Sequence, residues 1–228
     1  MKKMLALALS LCLLMSAVPA LAAGQLTITQ STYTPAKPSS TLYAYVYAEV
    51  TNTGDAPINA VNGVYQVLGA DGSVISENKV YKTYPAILGP GETGYIHEYV
   101  SIRDAEGPEA IPGYALTMDG ESTTNAPYTY FPATGTVEEV PYWFSTAYLV
   151  TVTITNNTDE TLYEPAMSFG LYDANGKLLY ADNQPLNGLG IPAGNSLEVL
   201  FAVDDFVDIW KTNETIPVTV KALAWLTD

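Results

Sequence analysis

The feature that most constrains the fold of this chain is an internal repeat with a period of about 104 residues. Four turn-forming stretches recur in the same order at nearly constant spacing, which is hard to obtain by chance over a whole domain length. They pair residues 49–55 with 153–159, Asp71-Gly72 with Asn175-Gly176, residues 88–93 with 191–196, and Ile111-Pro112 with Ile216-Pro217. The repeat predicts two structural units in one chain.

Both copies have the composition and the spacing of turn-forming residues that are typical of β-structure. Thr, Tyr, Val and Ile alternate with other residues in short runs, which Gly, Pro, Asn and Asp separate. We place strands at residues 26–33, 42–52, 60–68, 73–82, 93–103 and 113–118, and at 128–131, 146–155, 166–172, 177–181, 196–203 and 217–226. About six strands per copy at this spacing are typical of an all-β, antiparallel β-sandwich. Residues 204–211 are the nearest candidate for a helical turn.

The N-terminus has the features of a secretory signal peptide, which we assign to residues 1–23. Lys2 and Lys3 precede an apolar run that is short for a membrane span, and small residues lead to an expected cleavage site near Ala22 or Ala23. The mature chain should then be secreted or held at the cell envelope, with no membrane span.

The mature chain should contain two domains, at residues 24–123 and 124–228. The boundary falls in the polar stretch 119–125, which is short. We therefore expect the two units to sit end to end with restricted motion.

Cysteine content and charge exclude several classes of function. Cys12, the only cysteine, lies in the predicted signal peptide, so a mature chain would have no disulfide, thiolate metal site or cysteine nucleophile. The 24 acidic residues outnumber nine basic ones, and a formal net charge of −15 disfavours nucleic acid and anionic membrane surfaces as partners. Neutral ligands, cations and basic partners remain.

The second copy carries a motif that resembles a known family. Phe169-Gly170-Leu171-Tyr172-Asp173 follows the stretch Thr155-Asn156-Asn157-Thr158 and precedes a Pro-Ala-Gly turn at Pro192. This arrangement resembles the FxLYD domain family of exported bacterial proteins. The resemblance implies an immunoglobulin-like β-sandwich with no assigned enzymatic activity, and hence two tandem immunoglobulin-like domains after the signal peptide. The first copy keeps the apolar pattern at residues 65–69 but lacks the Phe and the Asp.

The motif also has a physical interpretation as a folding signature. Phe169 and Leu171 are two residues apart on a strand, so both should enter the core. Tyr172 and Asp173 lead into an Asn-Gly turn, where an Asp side chain can accept hydrogen bonds from backbone amides. Gly176 supplies the conformational freedom that this turn requires.

A stripe of tyrosines is the main candidate for a binding surface. In the strand at residues 42–52, the small apolar side chains at the alternate positions Ala44, Val46, Ala48 and Val50 share one face. Tyr43, Tyr45 and Tyr47 therefore point away from the expected core. Such a stripe can stack against sugars, contact a protein partner or simply fill the exposed face of a strand.

Candidates for catalysis or metal binding are sparse. His97 is the only histidine, which excludes a zinc site with several imidazoles. Glu138 and Glu139 are adjacent on a strand and point to opposite faces, so they make a poor catalytic pair. The most concentrated oxygen donors are Asp204, Asp205 and Asp208. They are the candidate ligands for calcium, the one cofactor that the sequence suggests.

Three hypotheses follow for the function. The sequence favours a non-enzymatic exported binding or spacer protein whose partner is an unidentified protein or a neutral glycan. The first alternative is a carbohydrate-binding module that uses the tyrosine stripe. The second is a carboxylate-dependent hydrolase.

Overall fold

The computed structural model describes residues 24–37, 40–103, 105–143 and 145–226, so the predicted signal peptide lies outside the described residues. The N-terminal half (residues 24–123) forms β1 (Leu26–Ala36), β2 (Leu42–Asn52), β3 (Ile58–Leu68), β4 (Val74–Leu88), β5 (Thr93–Ile102), β6 (Gly113–Thr117) and β7 (Gly120–Ser122). A 3-10 turn at Pro108–Ala110 precedes β6.

The C-terminal half (residues 124–226) contains β8 (Tyr130–Phe131), β9 (Ala133–Tyr142), β10 (Ser145–Thr155), β11 (Leu162–Tyr163), β12 (Pro165–Tyr172), β13 (Leu178–Pro185), β14 (Gly190–Ile191), β15 (Ser196–Val203) and β16 (Thr219–Leu226). One short helix, α1 (Val207–Thr212), lies between β15 and β16, where the sequence predicts a helical turn. Within the described ranges, no helix combines the length and the apolar character that crossing a membrane would need.

All the strand pairs are antiparallel, which confirms the all-β prediction. The two halves repeat the same order of pairing. In the N-terminal half, β1–β2–β5 and β4–β3–β6 form two groups, which a single pair between Tyr84 and Tyr95 connects. In the C-terminal half, the corresponding sheets are β9–β10–β15 and β13–β12–β16. The sequence repeat is therefore a repeat of strand topology.

A buried asparagine explains why the first anchor of the repeat recurs. Asn52 Nδ2 donates to the carbonyls of Ala56 and Leu88, at 2.8 and 2.9 Å. Asn156 Nδ2 donates to the carbonyls of Glu160 and Ile191, at 2.7 Å each. In both halves the asparagine side chain connects the turn that follows its own strand with the start of the turn that precedes a later strand. The carbonyl that it contacts in each place therefore has a hydrogen-bond donor.

The cores follow the predicted alternation of each strand. Ala44, Val46, Ala48 and Val50 of β2 are fully buried between the two groups of strands of the N-terminal half. A second cluster, which includes Tyr47 and Tyr95 of the N-terminal half, continues into the C-terminal half, where Phe169 and Leu171 of β12 are fully buried. The placement of both motif residues in the core is thus confirmed.

The two halves pack sheet against sheet, so the expected end-to-end arrangement is wrong. The faces of β2 and β5 that point away from the N-terminal core lie against β13 and β12 of the C-terminal half. Hydrogen bonds that involve the flanking strands β1 and β4 also join the halves, from Thr32 Oγ1 to the Leu178 carbonyl at 2.6 Å and from Ser168 Oγ to the Tyr84 carbonyl at 3.0 Å. The physical reason is that both faces carry large aromatic side chains, whose burial favours face-on contact.

Candidate functional site: an aromatic cleft between the halves

An open cleft of about 440 Å³ lies at one side of the contact between the halves. Its lining is mostly aromatic: β2 supplies Tyr43, Tyr45 and Tyr47, β5 supplies His97 and Tyr99, and the C-terminal half supplies Tyr180, Asp205 and Phe206. The structure therefore brings the whole predicted tyrosine stripe into one concave site.

Strand register explains how β2 and β5 share this surface. Tyr45 pairs directly with Tyr99, and Tyr47 pairs with His97. Side chains that are directly opposite on antiparallel strands project to the same face, so two alternating patterns merge into one aromatic sheet face.

The outer part of the cleft is a contiguous group of three tyrosine rings. The ring centroids are 5.9 Å apart for Tyr43 and Tyr45, 5.7 Å for Tyr45 and Tyr99, and 6.1 Å for Tyr43 and Tyr99. Tyr99 is 56% exposed, and Tyr43 and Tyr45 are half-buried. Their ring faces are available to a ligand, which aromatic side chains can contact by stacking or through a cation.

The floor of the cleft is Tyr47, which is 1% exposed. Its ring packs against Tyr180 at 4.8 Å and against Phe206 at 6.1 Å, so the last tyrosine of the predicted stripe is covered by the C-terminal half and is not exposed as expected. Among the described residues, none forms a hydrogen bond with the buried Tyr47 hydroxyl. The Tyr65 hydroxyl in the N-terminal core is likewise buried without a partner among the described residues, so the unpaired phenol alone does not identify a ligand position.

A partly buried network behind the cleft fixes its wall. His97 Nδ1 lies 3.2 Å from Asp182 Oδ1, and the Tyr180 hydroxyl donates to Asp182 Oδ2 at 2.9 Å. Burial opposes the charge of Asp182, but hydrogen bonding and the charge of His97, with further donors including Tyr180, outweigh it and lower the pKa of Asp182. The carboxylate therefore orients two cleft residues that come from different halves.

Asp205 is the acidic group of the lining and lies at the exposed rim, close to Tyr45. Partial burial of its carboxyl group and the neighbouring charge of Asp204 raise the pKa of Asp205. Within the part of the chain that the structure describes, its carboxylate forms no salt bridge with a lysine or arginine. The rim thus carries a negative charge that no lysine or arginine among the described residues pairs.

The hydroxyl groups of the lining suit binding better than nucleophilic chemistry. Burial raises the pKa values of Tyr45, Tyr47 and Tyr180, and nearby Asp205 or Asp182 raises them further. The phenols therefore stay protonated at neutral pH and act as hydrogen-bond donors and acceptors.

Calcium binding by the three predicted aspartates finds no support in their positions. Across the described ranges, no group of three or more His, Asp or Glu side chains is placed to hold a metal ion. Asp204 and Asp205 precede a short helix and Asp208 lies in its first turn, and of the three only Asp205 lines the aromatic cleft.

The predicted folding signature performs three separate tasks. Phe169 and Leu171 fill the core, as expected. Asp173 Oδ1 accepts hydrogen bonds from the amides of Asn175 and Lys177 at 2.8 and 2.9 Å, and Gly176 occupies the turn with a φ of 78°. These two positions confirm the turn.

The third task of the signature belongs to Tyr172, the last residue of β12 before the turn, whose side chain is buried between the halves. Its hydroxyl donates to Glu49 Oε2 and lies 3.0 Å from the Tyr95 hydroxyl. The Lys221 ammonium lies 4.2 Å from the centre of the Tyr172 ring and 3.5 Å from Glu49 Oε2. The motif strand therefore stabilises the contact between halves as well as its own core.

The sequence alone does not single out Tyr99, Tyr180 and Phe206 as site residues. A signal for Tyr99 is present in the alternation Tyr95, His97, Tyr99, which has the same period as the tyrosine stripe. Tyr180 and Phe206 carry no comparable signal, because their positions depend on how the halves pack.

Comparisons with known proteins provide no relative from which a function could be transferred. No protein-family model matches this chain, and no curated protein is significantly similar to it.

Proposed function

We propose that this chain is a non-enzymatic exported binding protein of two tandem immunoglobulin-like β-sandwich domains, residues 24–123 and 124–228, which holds its ligand in the aromatic cleft. The observation that carries the proposal is the cleft itself, where the partly exposed rings of Tyr43, Tyr45 and Tyr99 line a concave surface with the buried Tyr47 ring at its floor. Concave sites lined by aromatic side chains with a few polar groups are typical of ligand binding.

The domain assignment rests on the repeated strand order and on the FxLYD-like motif of β12. The proposed export rests on the basic and apolar pattern of residues 1–23. Placement at or beyond the cell envelope would make proteins or glycans of that environment the available ligands.

Binding accounts for more of the observed features than a spacer role does. A spacer would require rigid contact between the halves, which the buried Tyr172 and Asp182 networks supply. It would not require Tyr99 to remain 56% exposed in a concave aromatic site. The exposed ring faces also favour the second candidate, a carbohydrate-binding module, because sugars stack on aromatic rings.

A binding comparison between variants tests this proposal. Wild-type protein and the double variant Tyr43→Ala/Tyr99→Ala are applied to a glycan array and used in pull-downs against defined envelope proteins. Tyr81→Ala is the control, because Tyr81 is 74% exposed on β4 and does not line the cleft.

The cleft variant should lose at least one specific ligand that wild type and Tyr81→Ala both retain. Because neither Tyr43 nor Tyr99 is buried, all three proteins should melt at similar temperatures, which excludes unfolding as the cause. Ligands bound equally well by the cleft variant would show that the cleft is not the binding site.

A further inference from the structure

We propose that the aromatic cleft selects a protonated amine, an alkylammonium group that sits over the tyrosine rings and against the Asp205 carboxylate. This inference rests on the proposed binding function and specifies the chemistry of the ligand. It differs from the neutral glycan that the tyrosine stripe alone suggests.

The charges around the cleft favour a cation. Asp205 lines the rim and Asp182 lies directly behind the wall, whereas no lysine or arginine is among the lining residues. In the described part of the chain, the salt-bridged lysines Lys211 and Lys221 pair with glutamates elsewhere. With 24 acidic against nine basic residues in the chain, the surrounding field attracts positive ligands and repels anions.

The ring surfaces favour the same class of ligand. Tyr43, Tyr45 and Tyr99 form one contiguous group with centroids about 6 Å apart. A cation within about 6 Å of a ring centroid is attracted to the negative face of the ring, and one ammonium placed here would lie near several faces. The alkyl chain of the amine would cover the remaining apolar ring area.

Hydrogen bonding separates an amine from a neutral alcohol or sugar. A primary ammonium has three donors and no acceptor. The cleft offers one exposed acceptor without a salt-bridge partner among the described residues, the Asp205 carboxylate at the rim. A neutral hydroxyl can donate to this carboxylate but leaves its charge uncompensated.

The ammonium can come from a free amine or from a lysine side chain of a basic partner. The cleft opens to solvent at the exposed Tyr99 ring, so either source can reach it. The test therefore includes both sources.

The first measurement compares three ligands of similar shape and different charge. Full-length mature protein is titrated with n-butylamine, n-butanol and butyrate, and the tyrosine ring signals are followed by NMR. n-Butylamine should bind about tenfold more tightly than n-butanol, because the cation–π and charge-assisted contacts together add a binding free energy that corresponds to about this factor in affinity. Butyrate should not bind, and added salt should weaken the binding of the amine.

Two substitutions assign the effect to the cleft. Asp205→Asn should remove most of the preference for amine over alcohol, because it deletes the charge and keeps the shape. Asp208→Asn is the matched control, because Asp208 is also exposed and close in sequence but does not line the cleft. This variant should prefer amine over alcohol as strongly as wild type does.

The second measurement separates the two sources of the ammonium. A blocked Gly-Lys-Gly tripeptide is compared with its acetyl-lysine counterpart and with n-butylamine. A lysine peptide that binds more tightly than n-butylamine identifies a basic protein partner, whereas the reverse order identifies a free amine.

Equal binding of amine and alcohol, or a preference that Asp205→Asn leaves unchanged, would overturn this inference. So would an absence of binding by every amine probe. The more general proposal is judged separately: a glycan that depends on Tyr43 and Tyr99 would keep the binding function while rejecting an amine ligand.

Discussion

At the scale of single residues, two asparagines perform the same task in the two halves. Asn52 and Asn156 are fully buried, and each side chain donates two hydrogen bonds to backbone carbonyls. Asn156 Oδ1 also accepts from the Thr158 amide at 3.0 Å. Since buried carbonyls and amides are costly to leave unpaired, this residue type is required wherever the turn recurs.

Replacing Asn156 with Ala should therefore lower the free energy of unfolding by about 3 kcal/mol, because two carbonyls and one amide lose their partner. The matched control is Asn157→Ala, which changes an exposed neighbour and should stay within about 0.5 kcal/mol of wild type. Urea denaturation of the three proteins measures the difference. Equal stability of Asn156→Ala and Asn157→Ala would contradict the assigned role.

At the scale of elements, β12 is buried on both faces because its alternate side chains meet two different neighbours. Met167, Phe169 and Leu171 enter the C-terminal core, whereas Ser168 and Tyr172 face the N-terminal half. Gly170 lies between them, where a methyl group would come within 2.8 Å of Tyr95 Cε1. The absence of a side chain at this position permits the close approach of the two sheets.

The core side of β12 can be tested through Phe169. The variant Phe169→Ala should lose about 3 to 5 kcal/mol of unfolding free energy, since a fully buried aromatic side chain leaves a large cavity. Tyr163→Ala serves as a control, because Tyr163 is 69% exposed on β11. A melting temperature of Phe169→Ala no lower than that of Tyr163→Ala would be incompatible with the observed burial.

Alternation and turn chemistry were enough to predict most of the elements. The bounds of β2 and β15 agree with the prediction, since each strand alternates clearly and ends at a turn. The strand β9 was missed because Glu138, Glu139 and Pro141 interrupt its pattern, which is compatible with a strand that pairs on one side with β10.

The candidate site was predictable only in part. Side chains alternate between the two faces of a β-strand, so Tyr43, Tyr45 and Tyr47 could be grouped on one face from sequence. What covers that face depends on packing between elements about a hundred residues apart, and no local pattern encodes it. Tyr47 therefore became buried against Tyr180, whose role has no signal in its own strand.

At the scale of the whole molecule, two partly buried carboxylates connect the halves. Glu49 accepts hydrogen bonds from Tyr172 and from Thr29 Oγ1, the latter at 2.8 Å, and Asp182 is paired with His97. Burial opposes both charges, but hydrogen bonds and neighbouring positive charge outweigh it and lower the pKa of each group. The contact between the halves therefore depends on these two groups remaining ionised.

This dependence predicts that acid weakens the contact between the halves. A carboxyl group with a lowered pKa contributes stability that is complete above its ordinary value, 4.5 for Glu49 and 3.8 for Asp182, and is lost as the pH falls through the lower folded-state pKa. Unfolding free energy, measured by urea denaturation from neutral to acid pH, should therefore decrease below about pH 4.5.

The variant Glu49→Gln keeps the acceptor for Tyr172 but cannot titrate, so its stability should fall less steeply with acid than that of wild type. Glu198→Gln, an exposed position on β15, should follow the wild-type curve. Parallel curves for wild type and Glu49→Gln would show that the ionised Glu49 does not stabilise the contact.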